Sequence, residues 1–163
     1  FGPLGTAGRH CFDAQSPVFR RIAALCAARN TFAVLRDGRQ YLRPSSFLNL
    51  PFDYWGPGEL IAWSRILDNE EALCVVNGHG GEARGADIVV DARLNGADHS
   101  TFSVVLHSAE AADSTYLGTH RVGSTVVVQK AADGTAFVAI RDLPPSEILI
   151  LLNHPEAEPG RID

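Results

Sequence analysis

Leu60-Ile61-Ala62-Trp63-Ser64-Arg65-Ile66-Leu67, then Asp68-Asn69, then Ala72-Leu73-Cys74-Val75-Val76 closed by Asn77-Gly78, decides the fold class. The first run mixes apolar and polar residues at near-alternating positions, the period of a strand with one face buried. Asp-Asn and Asn-Gly are turn formers, so the two runs read as short strands with turn chemistry after each. The same grammar repeats outward from this point. Tyr41 and Leu42 form a short extended run after Asp37-Gly38, and residues 88–94, 102–106, 125–129, 136–140 and Ile148–Leu152 are further apolar runs. Asn95-Gly96, Asp133-Gly134 and Pro144-Pro145 punctuate them. Short β-branched runs at regular spacing, with no helical pattern between them, predict an antiparallel sandwich or barrel rather than a parallel α/β sheet. No internal repeat of fixed period is present.

One segment follows a different period. Ser16-Pro17 pairs a capping residue with proline at the first helical position. Val18, Phe19, Ile22, Leu25 and Cys26 then recur at spacings of three and four, with Arg20, Arg21 and Arg29 elsewhere on the wheel. This predicts an amphipathic helix over 17–29, ended by Asn30, with its apolar stripe facing a core. The periodicity changes near residues 30–35, which marks a boundary. The helix then lies on the sandwich or belongs against a neighbouring domain, and the glycine-rich residues 1–8 before it favour the neighbour. The expected architecture is mainly β: one N-terminal helix, then about eight strands.

With 163 residues, 45% hydrophobic and 20% charged, the chain is long enough for one self-supporting core with a short appendage. The formal net charge is −5 and the basic residues are scattered, without a Lys/Arg run interleaved with aromatics, so no nucleic-acid partner is expected. No run approaches the roughly 20 apolar residues that span a bilayer, and no membrane partner is expected. The three cysteines, Cys11, Cys26 and Cys74, form no C-x-x-C pair. An odd count reads as a reduced, intracellular setting, inclining the expectation to the cytoplasm, or as a thiol-tolerant one. A chain that begins Phe1-Gly2-Pro3 and contains no Met reads as a piece of a longer polypeptide.

Candidate chemistry is sparse. Glycoside hydrolysis needs two carboxyl groups across the scissile bond, one kept protonated. Asp68, Glu70 and Glu71 surround a hairpin turn, where carboxylates are ordinarily solvated. Asp87 and Asp91 fall on one expected strand about 13 Å apart, at roughly 3.3 Å per residue, beyond that geometry. His10, His79, His99, His107, His120 and His154 show no ligand spacing, and no metal or cofactor is expected. Gly78-His79-Gly80-Gly81 lacks the following helix that a phosphate cradle requires, and reads as a hairpin connection. Ser64 lies inside a strand rather than on a nucleophile elbow.

Residues 44–58, PSSFLNLPFDYWGPG, resist such a bland reading. Phe47, Leu48, Leu50, Phe52, Tyr54 and Trp55 crowd a loop broken by three prolines and two glycines. Three uses compete: an interdomain contact through Phe52, Tyr54 and Trp55, a mini-core under the loop, and a carbohydrate platform using Tyr54 and Trp55. The contact use is preferred, because large exposed apolar patches mark interaction sites.

Taken in order, several segments resemble the end of an α-amylase-family glycoside hydrolase. Phe1-Gly2 through Gly5, Gly8, His10 and Phe12-Asp13, followed by Ser16 to Ile22, resemble the close of that family's catalytic barrel. Leu35 to Arg43 resembles the first strand of its C-terminal domain, and residues 61–67, 72–77 and 84–95 resemble the next hairpin and its continuation. No single motif is diagnostic; the serial order carries the resemblance, over roughly the whole chain. It implies that 1–30 is the last barrel loop and helix, and that 31–163 is an antiparallel Greek-key β-sandwich that performs no chemistry. The family's catalytic carboxylates lie upstream of these segments, so none is assigned here and no enzyme activity is expected of this chain alone. The implied function is to pack on and stabilise a (β/α)8 barrel acting on α-glucosidic bonds in starch-like or smaller α-glucans. The implied partners are that barrel, a second copy of the chain through an exposed helix, and α-glucan. The alternative is a lectin-like carbohydrate-binding module.

Overall fold

The computed structural model describes residues 13–46, 50–54 and 59–153. The helix starts as its sequence demands: Ser16 Oγ accepts from the Phe19 N–H at 3.1 Å with Pro17 in the first turn. This helix, α1, runs Pro17–Thr31, two residues past the expected end, because the Phe32 N–H rather than Asn30 closes it, onto the Ala28 carbonyl at 3.0 Å. A second helix, α2 (Ala33–Asp37), follows at once and stops at Gly38. There the chain turns so tightly that a Cβ would sit 2.5 Å from the Val34 carbonyl oxygen.

Nine strands and two more short helices complete the chain: β1 (Arg39–Arg43), β2 (Ser45–Ser46), β3 (Leu60–Leu67), β4 (Glu70–Asn77), β5 (Arg84–Val89), α3 (Ala92–Asn95), β6 (Thr101–His107), α4 (Ser108–Ala112), β7 (Thr125–Lys130), β8 (Ala136–Leu143) and β9 (Ile148–Leu152). The decisive stretch is a hairpin, with Leu67 opposite Glu70 across Asp68-Asn69, so its second strand starts two residues before the expected run at Ala72. Three expectations need correcting. Helices α2, α3 and α4 lie in segments expected to be strand or loop, since four or five residues are too few to display a 3.6-residue period. The run at 88–94 is split: β5 ends at Val89 and Asp91 caps α3, its carboxylate accepting from the N–H groups of Arg93 and Leu94. Asp91 therefore does not share a strand with Asp87. The Gly78–Gly81 connection is not a hairpin, because β5 pairs with β8 and β2 rather than β4.

All pairings are antiparallel, in the order β1-β3-β4-β9-β6-β7-β8-β5-β2. Strands β6, β7 and β8 run consecutively and β9 returns beside β6, which is the Greek-key order. The sheet curls into a nearly closed, barrel-like sandwich. Its core draws on both walls: Leu73, Val75, Leu149 and Leu151 from one, Ile88, Val138 and Ile140 from the other. Strands β4 and β9 are buried on both faces, because α1 and α2 cover the outside of this wall. Cys74, Leu106 and Ile150 pack under Ala24, Leu25 and Ala28 of α1, and Ala72 and Leu152 pack under Val34 of α2.

The expected apolar stripe of α1 is not what faces the sheet. Val18, Phe19, Ile22 and Cys26 are exposed, and Leu25 alone of the five leans inward. The inward face is Arg21, Ala24 and Ala28, whose small alanines let the helix axis come close to the strands.

Candidate functional site

The aromatic loop divides. Asp53 bridges to Ser45 by two backbone hydrogen bonds of 2.9 and 3.0 Å, which pins this part of the loop beside β2. Phe52 is half-buried against Phe137 of β8, ring centroids 5.7 Å apart and tilted by 50°. It therefore serves as a mini-core residue. Tyr54 projects outward and is 59% exposed. Trp55, with Phe47 and Leu48, lies outside the described residues.

Two buried carboxylates escape the sequence pattern. Glu71, expected to be solvated beside its turn, is wholly buried. It accepts from Arg43 Nη2 at 2.8 Å, from the Asp91 N–H at 3.0 Å, from the Asn95 side chain and from Ser64 Oγ. Asn153 Oδ1 holds the Glu71 N–H at 2.8 Å. This node ties β1, β3, β4, α3 and the end of β9 together. Its residues are scattered through the sequence, so only the fold reveals it.

Glu147 forms the second node, under α1. It pairs with Arg21 through both carboxylate oxygens and accepts from Ser108 Oγ, which itself accepts from the Ile148 N–H at 2.7 Å. Burial pushes the Glu147 carboxyl up, but the hydrogen bonds from Arg21 and Ser108 and the Arg21 charge outweigh it, so its pKa lies below the ordinary glutamate value. Neighbouring His107 is buried and its pKa is lowered, with burial outweighing the nearby Glu147 and Glu110. Its Nδ1 accepts from the Ala109 N–H at 3.2 Å, and Nε2 lies 3.4 Å from the Tyr116 hydroxyl.

A serine, a histidine and a glutamate in one place invite a nucleophilic reading, but the bonding does not support it. The serine proton goes to Glu147, which Arg21 already pairs, and His107 Nδ1 is engaged by backbone, so the imidazole does not activate the hydroxyl. A cleft of about 470 Å³ between α1, α4 and β6 reaches His107 and Glu110. Glu110 is already occupied by the Val122 N–H at 2.9 Å and by Arg121 at 3.2 Å. Among the described residues, no group of three or more His, Cys, Asp or Glu is arranged to hold a metal. The glycine loop is self-satisfied: His79 Nδ1 accepts from the Gly81 and Glu82 N–H groups at 3.1 and 2.9 Å.

What the fold leaves unfilled is a surface. Val18, Ile22, Leu25 and Arg29 recur along one flank of α1, the flank whose Leu25 packs into the same cluster as Trp63. On the outer face of β3, Ile61 and Arg65 share the side of Trp63, and Leu42 of edge strand β1 stands opposite Trp63. Val18, Ile22, Leu42 and Ile61 are 64, 56, 57 and 52% exposed. Helix flank and strand edge thus both expose apolar side chains on the helical side of the wall, linked through the cluster that holds Leu25 and Trp63. Comparison with models of known protein families gives no match, and neither does comparison with curated proteins.

Proposed function

We propose that this chain is a non-catalytic β-sandwich domain that packs on a catalytic (β/α)8 barrel of the α-amylase type and stabilises it. The observation that carries this is the outward apolar flank of α1 beside Leu42 and Ile61. A helix that buries alanines on its own sheet and exposes Val18 and Ile22 has a second face suited to another domain. The barrel's identity, and its action on α-glucosidic bonds, rest on the resemblance of segments within residues 1–22, 35–43, 61–67, 72–77 and 84–95 to that family. The two buried carboxylates are fully engaged by their own neighbours, which fits a supporting role.

A barrel of this family produced without its own C-terminal domain should gain resistance to thermal inactivation when this chain is added. The chain alone should release no glucose from α-glucans. Unchanged inactivation of the barrel at saturating chain would remove this proposal. The second reading, a carbohydrate-binding module, rests on Tyr54, whose ring is largely open to solvent. Isothermal titration with maltooligosaccharides separates the two: heat that disappears in Tyr54→Ala would favour the module.

A further inference from the structure

The exposed apolar face of α1, β1 and β3 has a charge pattern that specifies its partner. Residues 17–43 hold six of the chain's 14 basic residues and only one of its 19 acids, although the whole chain is acidic. Four of those six point away from this face. Arg20 donates to the Ala112 carbonyl, Arg21 pairs with Glu147, and Arg43 pairs with Glu71. Arg39 stands opposite Ile66, on the other side of the sheet from Leu42. Arg29 and Arg36 remain on the helical side, joined by Arg65 of β3.

These arginines adjoin the apolar area. Arg29 continues the Val18-Ile22-Leu25 flank by one more turn. Arg36 reaches back to the carbonyls of Arg29 and Asn30, which places its guanidinium at the C-terminus of α1. Arg65 donates to the Arg36 carbonyl at 2.9 Å, while its Nε is buried without a hydrogen-bond partner. Neither Arg29 nor Arg65 joins an ion pair among the described residues, and Arg36 meets only Asp37, at the 4.0 Å limit.

We infer that this face docks a protein surface that is apolar at its centre and bears carboxylates opposite Arg29, Arg36 and Arg65. A second copy does not fit. A two-fold contact would present the same basic surface from both sides, and within residues 17–43 only Asp37 could answer the arginines, so the two copies would meet with charge of one sign. A carbohydrate does not fit either, because uncharged sugar gives the arginine rim nothing to neutralise. The inference rests on the proposed packing against a barrel and adds the chemistry of the surface that receives it.

The test uses the whole chain, immobilised, with an α-amylase-family barrel lacking its own C-terminal domain as the probe. Ile22→Asp should abolish association, and Arg29→Glu should slow it roughly tenfold or more with a smaller effect on dissociation, as rim charges act on encounter. Raising salt from about 0.05 to about 0.5 M should slow the native chain and leave Arg29→Glu nearly unchanged. Because both positions are exposed, the variants should lower the unfolding midpoint only slightly, Arg29→Glu by the cost of an acid in the last turn of α1. Association that depends on Ile22 but ignores salt and Arg29 would overturn the acidic rim while leaving the barrel partner in place. No association with the barrel would remove the partner itself. Sedimentation showing a dimer lost in Ile22→Asp would overturn the inference in favour of self-association.

Discussion

Glu147 and Glu71 are both buried acids, yet they make different demands on the fold. Glu147 sits under a helix and its folded pKa is depressed, so its contribution to stability is complete above the ordinary glutamate pKa. That contribution is lost as pH falls through the lower folded value. The stability gap between the native chain and Glu147→Gln should therefore be widest near neutral pH and shrink as pH is lowered from about 6 to about 3. Urea midpoints measured across that range check it; a gap that widens on acidification contradicts the Arg21 pairing. Glu71 is wholly enclosed, with Arg43 mostly so. Removing one member of such a pair strands the other charge, so Glu71→Ala should cost about 3 kcal/mol or more in denaturant unfolding. At this scale the sequence is least informative. Nothing in the string distinguishes Glu71 from its solvated neighbour Asp68, because burial here is set by Arg43, Asp91 and Asn95 arriving from other elements. The aromatic loop is half legible: Phe52 stands out by composition, but its contact with Phe137 depends on a pairing between β2 and β5 that two serines do not announce.

Elements are far more readable. Leu60–Leu67 and Ile148–Leu152 end where their patterns end, and Ser16-Pro17 opens α1 as it should. The misread helix has a definite cause, that a hydrophobic stripe does not say which layer will cover it. In α1 the larger side chains imply one core-facing side, whereas the helix lies on its alanines, which permit closer approach to the strands. Ala28→Leu should therefore push α1 off the sheet and destabilise the chain by about 1–3 kcal/mol through overpacking. Cys74 reports on this directly. It lies beneath α1 and burial pushes its thiol up to about 12, outweighing the opposing charge of Arg65. In a background where Cys11 and Cys26 are serine, thiol labelling of Cys74 should be slow in the native chain and markedly faster in Ala28→Leu. Equal labelling rates would mean that α1 does not shield the strand.

For the molecule as a whole, the β-sandwich class follows from turn spacing and from the lack of helical pattern after residue 37, and the Greek-key order agrees with what the resemblance implies. The strand order itself is beyond reach of the sequence, since antiparallel runs of similar length pair in many ways with similar local cost. The returning strand β9 settles that choice late. It lies between β4 and β6, pairs with both, and holds Leu149, Leu151 and Leu152 at the centre of the structure. On the ribosome, everything up to Glu147 emerges before the strand that unites the two halves. Strands β4 and β6 therefore wait with open edges while the intervening residues are made, at roughly 5–20 per second. Vectorial translation cannot seal this sheet piece by piece: closure belongs to the moment residues 148–152 clear the exit tunnel, and until then two strand edges stay open to wrong partners.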